Sequence, residues 1–226
     1  MALAGKGAII IWNDIAPEGR DEFYDWHLHE HIPERLHVPG FLRGSRYIAM
    51  SPETRPEFVT LYEIEDAAVA TSAPYLDRLN APTEWTSRAT SHFRNTSRAL
   101  TQILQSEGAG PGGVMATIRF DSSDRGMAAL AKMRDKQAAL AECARMVRIT
   151  GVHLCTTNSA ASAAKTAESR DRTDIMAAPI GAVLIEGCDE AALRAAVAQI
   201  LKVCEADGAQ LPVGYYRLEH AKAAVS

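Results

Sequence analysis

The sequence runs twice through the same order of apolar segments, once on each side of a glycine-rich stretch, Ser106-Glu107-Gly108-Ala109-Gly110-Pro111-Gly112-Gly113, that sits near mid-chain. Before that stretch, an apolar run over 7–13 that ends in polar residues suits a buried strand. A helix pattern follows over 18–36, with Pro17 acceptable in its first turn and Tyr24, Leu28, Ile32 and Leu36 four residues apart on one face. Pro33 falls late in that pattern and predicts a kink or an end there, and Pro39-Gly40 marks a turn. Strands are predicted over 41–50 and 56–65, the second rich in β-branched and aromatic residues (Phe58-Val59-Thr60-Leu61-Tyr62). A helix over 66–79, a loop carrying Pro82 and Trp85, and a strand over 98–104 complete the first pass.

The second pass repeats the order. A strand over 114–120 is followed by N-cap residues at Asp121-Ser122-Ser123, a helix over 127–146 and a strand over 147–156 broken by Gly151. A polar loop, a strand over 180–186, a helix over 190–206 and a strand over 213–220 follow. Each pass reads βαββαβ, the split-βαβ ferredoxin-like unit. The likeness of Leu61-Tyr62-Glu63-Ile64-Glu65-Asp66 to Leu184-Ile185-Glu186-Gly187-Cys188-Asp189 supports a duplication. Helices cover only one face of such a sheet, so the other face needs a partner, and its twin is the economical one. The prediction is an α+β fold: half-domains at 1–106 and 114–226, joined by a linker at 107–113 and packed sheet to sheet as a pseudo-dimeric barrel.

Composition limits what the chain can do. With 24 Lys and Arg against 28 Asp and Glu, the net charge is -4, and no dense basic block offers a surface for nucleic acid or anionic membrane. No apolar run reaches the ~18–20 residues of a membrane span, and the stretch Ala8-Ile9-Ile10-Ile11-Trp12 is too short for the core of a signal peptide. The four cysteines, Cys143, Cys155, Cys188 and Cys204, show no Cys-x-x-Cys spacing and read as free thiols in a reducing, cytoplasmic setting. Whether a fused barrel stays single or forms a homodimer is left open.

The chemistry-bearing segment is Trp26-His27-Leu28-His29-Glu30-His31-Ile32-Pro33-Glu34-Arg35. One turn apart, His27 and His31 are neighbours, as are Glu30 and Glu34, while His29 projects to the wetter side. An imidazole at the edge of a core beside a carboxylate can be tuned across neutrality and can move protons. His-x-x-x-His also places two imidazoles on one face as metal ligands, but no third ligand is in evidence, and no metal is expected. The first helix of the second half has no histidine, and all three tryptophans lie in the first half, so any site is asymmetric, with the second half as a wall.

The stretch Asp25 to Leu36, followed by Val38-Pro39-Gly40-Phe41-Leu42-Arg43-Gly44-Ser45-Arg46-Tyr47, resembles the EthD-like branch of the dimeric α/β-barrel superfamily. A His-x-Pro step, here His31-Ile32-Pro33, closes the first helix of that branch, and a Pro-Gly-Phe turn opens its second strand. Tyr62 to Asp66 and Ala81-Pro82-Thr83-Glu84-Trp85 resemble its duplicated members. The resemblance implies two sheets closed into a barrel, a pocket near the end of the first helix, and His31 as the functional residue. It also implies relatives that include cofactor-free monooxygenases, cyclases, lactone isomerases and haem enzymes.

Chemistry rather than resemblance nominates the remaining candidates. Glu30 or Glu34 would orient His31, with His27 beside it; Trp12, Trp26 and Trp85 would form apolar walls. Arg46 would bind a carboxylate or phenolate, or Tyr47 would donate to a developing oxyanion, but strand alternation allows at most one of the two to face a given pocket. With no activated nucleophile in the sequence, the expected activity is cofactor-free acid–base chemistry of lyase, isomerase or cyclase type on a small apolar, aromatic substrate, in aromatic-compound catabolism. Haem bound through His31 or His27 is the main alternative, and a non-catalytic ligand-binding or stress-response module is another.

Overall fold

A computed structural model describes residues 2–225. β1 (Gly7–Ile15) lies between β3 (Phe58–Ile64) and β4 (Phe93–Gly108), and β2 (Phe41–Ala49) pairs with the far side of β3. The second half repeats this plan with β5 (Val114–Phe120), β6 (Ile149–Thr157), β7 (Gly181–Gly187) and β8 (Val213–Ala223). The two four-stranded sheets join edge to edge, β2 to β8 and β4 to β6, and close an antiparallel barrel in the order β1-β3-β2-β8-β5-β7-β6-β4. The chain is thus two tandem ferredoxin-like units forming one pseudo-dimeric α/β barrel.

Closure explains why β1, β3 and β7 are apolar almost throughout: the barrel interior covers one sheet face and helices cover the other. Alternation sends Ala8, Ile10 and Trp12 inward against Val59, Leu61, Ala99 and Tyr47, and sends Ile9, Ile11 and Asn13 outward under the helices. The interior also holds a hydrogen-bonded line of Ser106 Oγ, His153 and Glu186, at 2.9 Å and 3.1 Å, with the Tyr47 hydroxyl on the same carboxylate at 3.2 Å. His153 and Glu186 are fully enclosed, so this set ties the two halves together without reaching any ligand.

Several elements depart from the sequence pattern. The first helix is three pieces: α1 (Arg20–Trp26), a π-helical turn (His27–His31) and α2 (Ile32–Leu36). The cause is Pro33, which has no N–H for the His29 carbonyl and whose ring crowds that carbonyl; a wide turn, closed by Ile32 N–H to His27 O, relieves the conflict. Widening changes which residues are buried. Phe23, Trp26, His27, His31, Ile32 and Arg35 lie against the sheet, whereas Tyr24, Leu28 and Leu36 of the expected face are only half-buried.

The helix expected over 66–79 is a short 3-10 turn followed by α3 (Ala73–Asn80). The segment around Trp85, expected to be loop, is α4 (Glu84–Ser91), started by the Thr83 hydroxyl accepting from Thr86 N–H. β4 begins five residues earlier than expected and absorbs Glu107 and Gly108 from the linker. In the second half the long helix divides into α5 (Asp124–Asp135) and α6 (Ala138–Ala144), α7 (Ser159–Ala163) follows β6, and α8 (Glu190–Cys204) packs between β7 and β8 in sequence.

The outer faces of the two halves are packed differently. In the second half, α5, α6 and α8 bury one continuous cluster that includes Met133, Leu140, Cys143, Leu193, Val197 and Ile200. In the first half the equivalent face is split into two clusters, one around Ile9, Tyr62 and Leu100 and one around Phe23, Trp26, Phe58 and Phe93. Between them lies a cavity.

Candidate functional site

The cavity has a volume of about 590 Å³, inside the roughly 300–1,000 Å³ of small-molecule sites. Its floor is the outward face of β3, β1 and β4. Register places Thr60, Ile11 and Arg98 side by side across these three strands. Tyr62 and Asn13 add to the floor from the rows on either side. One wall is the helix from Trp26 to Arg35. The other wall and the roof come from the second half: residues 158–180, between β6 and β7, cross over the first half as a strap.

The strap is held at several points by its backbone. Asn158 N–H donates to Leu100 O (2.8 Å), Glu168 N–H to Leu79 O (3.0 Å), and Thr96 and Met176 bond the strap to β4 at 2.9 and 2.7 Å. Its strongest side-chain tie is ionic: the buried Arg35 guanidinium lies between Glu34 (2.7 Å) and Glu168 (2.5 Å). Arg172 is likewise paired with Asp174 at 2.6 Å.

The two buried histidines of the π turn differ in their bonding. Arg46 Nη1 lies 3.4 Å from His27 Nδ1; a guanidinium can only donate, so Nδ1 accepts, and Nε2 carries the proton and donates to Thr60 Oγ1 at 3.3 Å. Both nitrogens of His27 are therefore committed. His31 is 9% exposed, its Nδ1 is buried with no hydrogen-bond partner among the described residues, and its ring centroid lies 4.2 Å from that of Trp26 and 5.5 Å from that of His27. Both rings are held well below the ordinary histidine pKa, chiefly by burial, with Arg46 the next cause at His27 and Arg35 at His31. Each is therefore a neutral imidazole at neutral pH.

The remaining expected site residues separate cleanly. Trp26 lines the cavity, and its Nε1 donates to Thr86 Oγ1 at 3.1 Å, which in turn donates to Glu30. Glu30 also accepts from Thr83, at 2.6 Å, so it fixes Trp26 rather than His31. Glu34 is taken by Arg35 and Arg78, and neither carboxylate orients His31 as expected; the widened turn carries both away from that ring. Arg46 does face the helix side, where it holds His27 and Glu219 behind the cavity wall. Tyr47, one residue on, points into the barrel interior, as alternation requires. Trp12 is on the inward face of β1, donating to Thr117, and Trp85 packs in the Phe23 and Phe93 cluster, so neither forms the cavity wall expected of it.

Asn13, Thr60, Arg98 and the strap's Glu168 are among the cavity residues not singled out from sequence. Asn13 and Thr60 carried a signal, being polar residues at outward positions of otherwise apolar strands.

No protein-family model matches this chain, and no curated protein matches it in sequence. Among solved structures it is similar to an anthrone oxidase-like protein, with a TM-score of 0.63 and 10% identity over 100% of this chain and 97% of that one. It is also similar to a Fusobacterium nucleatum protein described as a candidate monooxygenase (TM-score 0.55, 7% identity, 98% and 96% covered). A variant chlorite dismutase of Candidatus Nitrospira defluvii gives a TM-score of 0.53 at 7% identity, with 95% and 91% covered. These likenesses show the fold, that of the dimeric α/β barrels. Among the described residues no helix is long and apolar enough to cross a membrane.

Proposed function

Taking the dimeric α/β barrel as premise, we propose that this chain is a cofactor-independent acid–base enzyme of the EthD-like kind, acting on a small aromatic substrate with His31 as proton carrier. The observation that carries the reading is His31 itself, a cavity-lining imidazole that among the described residues makes no hydrogen bond, its Nδ1 enclosed and its Nε2 left for the cavity. Buried polar groups usually find partners, and a ring on a cavity wall with none among the described residues is free to bond a ligand.

The geometry supplies the steps. Trp26, Ile11 and Tyr62 offer apolar surface to a flat ring system. A neutral His31 accepts a proton from an acidic C–H or O–H of the substrate without first losing one of its own. The electron pair left behind moves into the conjugated system as an enolate or phenolate, for which Asn13 and Thr60 are polar neighbours on the floor. Imidazolium is disfavoured in this setting except beside that anion, so the proton returns readily, and return to a different atom gives an isomerised, cyclised or eliminated product. Oxidation by dioxygen is open to the same anion when the substrate is easily oxidised, and the likeness to an anthrone oxidase-like protein supports anthrone as a probe.

Haem does not fit the residues present. His27 has both nitrogens committed, and among the described residues His31 lacks the carboxylate or carbonyl partner that normally orients a metal-bound histidine. The predicted haem titration is flat.

The test is deuterium exchange at the methylene of anthrone, followed by NMR without oxygen so that only proton transfer is read. The expected result is catalysed exchange, slowed about a hundredfold or more in His31→Ala. Stability should change by less than about 1 kcal/mol, because lost stacking on Trp26 is offset by removal of an unsatisfied buried nitrogen. Undiminished exchange in His31→Ala rejects the assignment. Binding of anthrone without exchange in the wild type would make the cavity a carrier site.

A further inference from the structure

We propose that Arg98 is the anchor for an acidic group on the substrate, so that the cavity selects aromatic acids over neutral aromatics of the same shape. The inference rests on the reading of this cavity as the substrate site and adds the class of molecule it takes.

The argument begins with the charges around the cavity. The chain is acidic overall, yet four of the five charged side chains lining the cavity are cationic: Arg35, Arg98, Lys165 and Arg172, against Glu168. Arg35 and Glu168 neutralise one another across the strap, and Arg172 is paired with Asp174. Lys165 is exposed at the rim. Arg98 is different. It is half-buried in the floor, and among the described residues it makes no ion pair and no side-chain hydrogen bond. A guanidinium that faces a cavity without a counter-charge is an anion-binding group, and its five-donor fork matches a carboxylate or phenolate oxygen.

Register fixes where that acidic group would lie. Arg98 and Thr60 flank Ile11 in one row across β4, β1 and β3, so their Cα atoms are about two strand spacings, roughly 10 Å, apart. His27 sits over Thr60, and His31 is stacked beside His27. A molecule with its acidic group on Arg98 therefore lies across Ile11 with its far end at the histidines. That span suits an aromatic body of about two to three fused rings, flat enough to pass between Trp26 and the strap. Ile175 and Met176 of the strap, 46% and 56% exposed, supply apolar surface at the mouth.

The experiment compares binding of 2-naphthoate and its neutral isostere 2-naphthalenemethanol by calorimetry, in the wild type, Arg98→Met and His31→Ala. The expected result is naphthoate binding about tenfold or more tighter than the alcohol in the wild type. Arg98→Met should lose that preference while keeping its affinity for the alcohol. His31→Ala should keep the preference, because the charge responsible is not on the imidazole. Equal affinities in the wild type, or a preference retained in Arg98→Met, overturn the assignment of Arg98 and leave the proton-transfer reading of His31 standing. Binding of neither compound overturns both.

Discussion

Under the proposed function His31 rather than His27 is the proton carrier, because among the described residues nothing bonds its nitrogens, whereas His27, four residues earlier, is locked by Arg46 and Thr60. Spacing alone showed two neighbouring imidazoles and the resemblance singled out His31; the bonding that separates the two is made by residues on β2 and β3, which no local pattern reveals. The neutrality of both rings has a consequence for stability. In the unfolded chain they protonate near the ordinary value of ~6.5, but in the fold burial opposes it. Above that pH both states are neutral and nothing is lost. Below it the unfolded chain takes up protons that the fold refuses, so stability falls by at most about 1.4 kcal/mol per pH unit for each ring, until the folded pKa is reached. Urea denaturation at pH 7.5 and 5.5 should therefore show a smaller acid loss in His31→Gln than in the wild type. Identical losses would mean that His31 protonates freely in the fold. For the same reason the acid limb of the exchange rate should lie below the ordinary histidine pKa.

At the scale of elements, strands were easier to read than the helix that matters. Period-two alternation correctly separated Arg46 from Tyr47 and located most strands within a residue or two. The 3.6-residue period misassigned the buried face of the first helix, because a π turn follows a different one; Pro33 was the visible sign of that break. The strap was invisible for another reason. Residues 158–180 are rich in Ala, Ser, Thr and Arg, and read as a polar loop of the second half, yet their partners, Leu79, Thr96, Leu100 and Arg35, all belong to the first. Contacts so distant in sequence leave no periodic trace. Since the Arg35–Glu168 pair is the strap's main ionic tie, Glu168→Gln should loosen it. The expected cost is about 1–3 kcal/mol, moderated because Arg35 retains Glu34. Hydrogen exchange should accelerate at 166–178 and stay unchanged in β5 and β7. Unchanged exchange in the strap would show that its backbone bonds to β4 suffice.

Across the whole molecule, the two halves divide dense packing from an open cavity. Two units with the same strand order pack their outer faces in opposite ways: one is filled by Met133, Leu140, Leu193 and Ile200, while the other is parted around polar residues and a cavity. A single unit could hardly do both, since a cavity lined by Thr60, His27, His31 and Arg98 displaces the apolar contacts that would hold its helices down. The filled half, its strap and the shared interior line of Ser106, His153, Glu186 and Tyr47 compensate. This division predicts that damage to the second core lowers stability without altering the site. Leu193→Ala, removing a fully buried side chain, should cost about 2–5 kcal/mol in urea denaturation. Well below its melting temperature, however, the variant should exchange deuterium into anthrone at the wild-type rate and keep its preference for naphthoate. A variant that remained folded but lost either property would show that the packing of α8 is transmitted to the cavity, and that the two halves work as one unit rather than as support and site.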